Sequence, residues 1–149
     1  MTKSKLIIFF TVLILFLPAF LCAQTAEQLE IVLGASSITC DQAARFVYAS
    51  VSGEQDTKGA FEKVLDNGWL PGGTTSEENI TLGKLSFLLM KAFDIKGGLM
   101  FALFPGPRYA YRNMVSRNII QGSSDPAMTV SGERFLLILG KILNEQEDE

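Results

Sequence analysis

The sequence has no histidine. The commonest general base and the commonest metal ligand are therefore both missing, which removes many hydrolase and zinc-site readings together. Cysteine is nearly absent as well, with only Cys22 and Cys40, and tryptophan occurs once, at Trp69. Five prolines and 13 glycines are too few for a low-complexity linker or a collagen-like strand. Thirteen Lys and Arg stand against 16 Asp and Glu, a formal charge of −3, so the basic footprint of a nucleic-acid binder is lacking. Nucleophile elbow, phosphate loop and metal-ligand spacing are missing too. Glu77, Glu78, Asp94 and Asp125 read as solvated loop acids rather than a placed acid–base pair. These absences describe a chain that is not an enzyme and needs no cofactor or metal. What is present is apolar: 48% of 149 residues, enough for the core of one domain.

Much of that apolar content lies at the start. Lys3 and Lys5 precede an apolar run from Leu6 to Leu21, interrupted only by Thr11 and Pro18, and Ala23 follows. That is the order of a secretory signal peptide over residues 1–23, and the run is shorter than the roughly 20 residues of a spanning helix. Cleavage before Gln24 takes the formal charge from −3 to −5 and leaves Cys40 without a disulfide partner. Cys40 then reads as a small buried hydrophobe. The competing readings are a lipidated Cys22 and an uncleaved anchor, and only these bring membrane contact. The expected location is the periplasm or the cell surface.

Residues 60–93 align without a gap on residues 110–143. Phe61, Val64, Leu65 and Trp69 meet Tyr111, Met114, Val115 and Ile119; Gly72 meets Gly122; Ile80-Thr81 meets Val130-Ser131; Lys84 meets Arg134; Leu88-Leu89 meets Ile138-Leu139. The spacing predicts a helix, a glycine-bearing loop and a second helix in each unit. Asn67-Gly68 ends the first helix, and Thr81 and Ser131 are N-caps for second helices over 82–93 and 132–143. Ile38-Thr39 opens a truncated N-terminal unit within residues 24–52, whose helix carries Ala43, Phe46, Val47 and Tyr48; residues 26–33 form its shortened first helix. The expected architecture is all-α: tandem helix-loop-helix repeats, two full units and one partial, packed as a small helical bundle over residues 24–144. Its core is built from Phe46, Leu85, Leu88, Leu89, Phe135, Ile138 and Leu139. The helix from 132, apolar nearly all round over Phe135–Leu139, is expected to be the most buried, and Glu145–Glu149 to be a disordered acidic tail.

The loops Gly68-Trp69-Leu70-Pro71-Gly72-Gly73 and Asn118-Ile119-Ile120-Gln121-Gly122, each followed by an aliphatic–hydroxyl pair, resemble those of S-layer homology modules. The resemblance covers 60–93 and 110–143, and 38–51 more weakly. It implies a pseudo-threefold helical bundle that holds cell-wall polysaccharide in grooves between repeats. The family often carries an arginine directly after the hydroxyl; here those positions are Cys40, Leu82 and Gly132, and the polar residues Gln42, Lys84 and Arg134 fall two places later.

On this reading the candidate ligand-binding residues are Trp69, Gly72, Thr81, Lys84, Gly122, Ser131 and Arg134. Trp69 stacks on a sugar or packs in the core. Lys84 and Arg134 sit in first helical turns, where a cation is unfavourable unless an anion or a carboxylate comes near. A second candidate is the apolar run Leu99-Met100-Phe101-Ala102-Leu103-Phe104, closed by Pro105-Gly106-Pro107. It fills the groove between units, or it is a partner- or membrane-touching patch centred on Leu99, Met100, Phe101 and Phe104. Arg108, Arg112, Arg117 and Arg134 make the last unit the most cationic stretch. Two functions follow: an exported module binding cell-wall glycan, or a scaffold binding another envelope protein through its repeats and residues 99–104.

Overall fold

The computed structural model describes residues 26–54, 56–122 and 125–147; the expected signal peptide, residues 1–23 with Cys22, lies outside them. The architecture is all-α, as the periodicity requires. Helix α1 covers residues 26–33. It is followed by α2 (Cys40–Ser52), α3 (Ala60–Asp66), α4 (Leu82–Ala92), α5 (Leu99–Leu103), α6 (Pro107–Ser116) and α7 (Gly132–Glu147). Helix α4 packs on α2 on one side and on α6 on the other, while α3 packs on α2 and α5 on α6.

The centre of the molecule is a ring of backbone hydrogen bonds. The Ile38 N–H donates to the Val130 carbonyl (3.0 Å), Val130 N–H to Ile80 (3.2 Å), and Ile80 N–H back to Ile38 (2.9 Å). All three side chains are fully buried. Isolated antiparallel bridges at Thr39–Asn79 and Thr81–Thr129 are the only extended pairings among the described residues. Extended backbone suits β-branched residues, and closing the ring leaves none of these buried amides without a partner.

From this hub three helices set out, each begun by a hydroxyl. The Gln42 N–H donates to Thr39 Oγ1 (3.2 Å), Lys84 N–H to Thr81 Oγ1 (3.3 Å) and Arg134 N–H to Ser131 Oγ (3.3 Å). At Thr39 the Gln42 side chain also accepts from the Thr39 N–H (3.0 Å), which completes a capping box. The first amide of each helix reaches a neighbouring segment: Cys40 N–H donates to Glu78 O, Leu82 N–H to Met128 O, and Gly132 N–H to Ala35 O. Amides that a helix N-terminus ordinarily leaves unpaired thus hold the segments together. At the other end of the units, Gly68 (φ +68°) and Asn118 (φ +60°) take the left-handed conformation that stops α3 and α6.

Three expectations need correction. The most buried helix is α4, not α7: among α4 residues only Lys84 and Lys91 escape burial, whereas Leu137 of α7 is 61% exposed. Helix α4 is enclosed because neighbours flank it on both sides, and its one buried hydroxyl, Ser86, donates back to the Leu82 carbonyl (2.6 Å). Phe46 is only half-buried and stands edge-on to Phe135, ring centroids 5.9 Å apart. The acidic tail is helical as far as Glu147, and Glu145 reaches Arg117 at 3.7 Å, a pairing that favours continuation of the last turn.

Candidate functional site

Four of the glycan-groove candidates, Thr81, Ser131, Trp69 and Lys84, are engaged within the fold. Thr81 and Ser131 use their hydroxyls as helix caps. Trp69 is half-buried against the core, its ring 6.5 Å from that of Tyr48, which in turn lies 4.7 Å below the Lys63 ammonium. Packing, not an open stacking platform, accounts for it. Gly72 has an ordinary φ; the left-handed glycine of that loop is Gly73 (φ +82°), so the counterpart of Gly122 (φ +87°) is displaced by one residue from the sequence alignment. Residues 123 and 124, in the second loop, lie outside the described residues. The three positions at which the family often carries arginine, Cys40, Leu82 and Gly132, are all buried.

Lys84 has found its carboxylate within the chain. Its ammonium lies 2.7 Å from Glu78 Oε1, which also accepts from the Thr75 N–H at 3.0 Å. Glu78 is therefore a loop organiser rather than a merely solvated acid: its side chain joins the loop to the first turn of α4, and its carbonyl receives the first amide of α2. The hydrogen bond from Lys84 holds the Glu78 carboxyl below its ordinary value of 4.5, partly offset by burial, with the Thr75 amide adding to the lowering. A carboxyl lowered in the folded state contributes stability above the ordinary carboxylate range and loses it as the pH falls through the folded value. The expected result is a gap in Tm between the natural chain and Glu78→Gln that is full above about pH 4.5 and shrinks as the pH drops further. A gap of constant size across the acid range would remove the charge from this account. The Cys40 thiol beside this pair is pushed up to about 11, chiefly by burial and then by the Glu78 charge, so it is not a nucleophile at neutral pH. Glu77, Asp94 and Asp125 do not join Glu78 in a cluster, and no group of three or more acidic or cysteine side chains among the described residues has a metal-binding arrangement.

The other candidate, the run 99–104, does not fill a groove between units. It forms the single-turn helix α5 and stands on the surface: Leu99 is 71% exposed, Phe104 63%, Leu103 59% and Met100 53%. Phe101 is the exception and leaves the list of patch residues; it is buried, with its ring edge-on to Phe87 at 6.2 Å. Leu103, absent from the sequence-derived list, takes its place on the outside. Beside the buried Phe101, the start of the segment is fixed through its backbone. Asn113 of α6 accepts from the Gly98 N–H at 2.8 Å through Oδ1 and donates to the Tyr109 carbonyl at 2.9 Å through Nδ2, and Arg117 donates to the Lys96 carbonyl at 3.3 Å. Pro107 then opens α6, where its fixed φ suits a first helical residue. A one-turn helix tied down at one end and anchored by one phenylalanine must turn its remaining apolar side chains outward.

Between α5 and α6 runs an open cleft of about 300 Å³, lined by Met100, Phe101 and Tyr109 together with Arg112, Asn113 and Ser116. Lys96, Arg108 and Arg112 are exposed around it. Neither Arg108 nor Arg112 has a side-chain partner among the described residues. From Ile95 to Ser124 the sequence contains no acidic residue, although the chain as a whole is acidic. The arginines and the apolar run are each visible in the sequence; the signal that joins them is the acid-free interval that encloses both.

No family model, curated protein or solved structure matches the chain. What fold and surface define is a small all-α bundle with an outward apolar turn of helix set among cations. Among the described residues no helix is long and apolar enough to cross a membrane.

Proposed function

We propose that the protein is a non-catalytic attachment module of the bacterial cell envelope, exported by its leader, whose working surface is the α5–α6 face. The observation that carries this is the exposure of Leu99, Met100, Leu103 and Phe104 in one contiguous segment. Contiguous apolar patches of this kind on small proteins mark sites of association. The inter-repeat glycan reading has less to stand on, since its hydroxyls cap helices, its lysine is paired with Glu78 and its tryptophan packs on Tyr48. The non-catalytic part of the reading is supported by the Cys40 thiol, pushed up to about 11 by burial, and by the pairing of Glu78 with Lys84.

The test is envelope retention of the full chain in the cells that make it, compared with the double variant Leu99→Ser/Phe104→Ser. Expected is loss of most of the envelope-bound fraction while the helical circular dichroism spectrum is unchanged, because neither side chain supports the core. Retention that ignores this variant but falls with Arg134→Ala, together with co-sedimentation on purified cell wall, would overturn the reading in favour of glycan grooves.

A further inference from the structure

We infer that the surface to which the α5–α6 face attaches is an anionic lipid bilayer, into which α5 inserts as a shallow wedge; this deepens the attachment reading and rests on it. Three independent features of the face converge. The first is shape. Gly97-Gly98 and Pro105-Gly106-Pro107 bracket a single helical turn, and Leu99, Met100, Leu103 and Phe104 project from it. Recognition of a helix in a protein groove uses anchors at i, i+3, i+4 and i+7 over two turns. Helix α5, five residues long, offers a single turn. A bilayer makes no such demand, because the interfacial region accepts a few apolar side chains to a depth of about 5–10 Å.

The second feature is charge. The interval from Ile95 to Ser124 carries Lys96, Arg108, Arg112 and Arg117 and no acid, while the 16 acids all lie elsewhere. A chain that is acidic overall yet cationic around this apolar projection is oriented by an anionic surface before it touches it. Arg117 is engaged with Glu145 and the Lys96 carbonyl, so the cations that face outward are Lys96, Arg108 and Arg112.

The third feature is the cleft. Its lining combines the apolar Met100 and Phe101 with Arg112, Tyr109, Asn113 and Ser116. An apolar lining beside an exposed guanidinium matches the junction between a phosphate headgroup and the start of its acyl chain, and the Arg112 guanidinium, with no partner among the described residues, is available to bind phosphate oxygens bidentately. The leader and a lipidated Cys22 are the routes to a membrane that the sequence offers; α5 adds one that depends on neither.

The test is vesicle flotation with the full chain in its naturally processed form, its N-terminus read by mass spectrometry. Every variant is compared in that same form, so that any attached leader or lipid contributes equally. The probes are vesicles of phosphatidylcholine alone and vesicles with about 30 mol % phosphatidylglycerol, at low salt and at roughly 0.5 M salt. Expected is binding about tenfold tighter to the anionic vesicles, lost in high salt, reduced about tenfold by Leu99→Ser/Phe104→Ser, and stripped of its anionic preference by Arg108→Gln/Arg112→Gln. Leu137→Ser, an exposed apolar change on α7, leaves binding unaltered. Equal reduction by Leu137→Ser, or no difference between the two vesicle types, would overturn the inference. Absence of vesicle binding, with the apolar double variant still losing envelope retention in cells, would replace the bilayer by a protein partner on the same face and leave the attachment reading standing. Vesicle binding as expected with undiminished retention of that variant in cells would instead overturn the attachment reading.

Discussion

Replacing Leu88 with Ala is expected to cost about 2–5 kcal/mol of folding stability, measured by urea unfolding, whereas Leu137→Ala stays within about 0.5 kcal/mol of the natural chain. Both are leucines in the middle of strongly apolar helices, and a hydropathy profile does not separate them. Leu88 has no solvent exposure and lies on the helix that α2 and α6 enclose; Leu137 is 61% exposed on a helix with an open face. Truncating Leu88 removes buried methyl groups and leaves a void that the flanking helices can only partly close. Small domains have about 5–15 kcal/mol in total, so the loss is a large share. Equal effects at the two positions would show that Leu137 is enclosed as Leu88 is, and would remove the ranking of α4 above α7 in burial.

The contrast marks how far the sequence carries. The starts of α2, α4 and α7 were legible because their cause is local: an aliphatic–hydroxyl pair sets an extended residue and then a side-chain acceptor for the third helical amide, wherever the segment finally packs. The stops at Gly68 and Asn118 were legible for the same reason. Which helix is innermost was not, since burial depends on how many neighbours a helix acquires. The ring joining Ile38, Ile80 and Val130 lies between these cases. Its three members share a sequence position, but their mutual hydrogen bonds exist only once the segments meet.

For the candidate site, the residues were visible and their exposure was not. Six apolar residues in succession read equally well as filling or as surface, and what decides is the length of α5. One turn buries one side chain, Phe101, and the others then face away from the core. Lys84 shows the reverse: a cation in a first helical turn signalled a nearby negative group, and that group is Glu78 of the same chain, 2.7 Å away, rather than an external ligand.

A glycine-to-alanine exchange at Gly132 is expected to destabilise the fold by about 3 kcal/mol, the upper part of the range for overpacking, although the same exchange in an exposed helix stabilises by up to about 1 kcal/mol. Gly132 is the first residue of α7, and its amide donates to the Ala35 carbonyl at 3.0 Å. A Cβ at this position would fall on the backbone carbonyl of Val32, with the Val32 side chain close behind. Backbone cannot swing aside as a lysine tip can, so relief requires the end of α1 to withdraw, which breaks the Ala35 hydrogen bond and uncovers Val32, a core residue only 2% exposed. Gly140, further along the same helix, has nothing within 4 Å of the equivalent Cβ, and Gly140→Ala is expected to stabilise by a few tenths to about 1 kcal/mol. Urea unfolding of the two variants gives opposite signs on this account. Hydrogen exchange locates the damage: amides of 26–33 lose protection in Gly132→Ala, while those of α4 keep theirs until global unfolding. Stabilisation by both substitutions would mean that α1 does not close over the start of α7, and that the first segment of the chain is attached by the Ile38 ring alone.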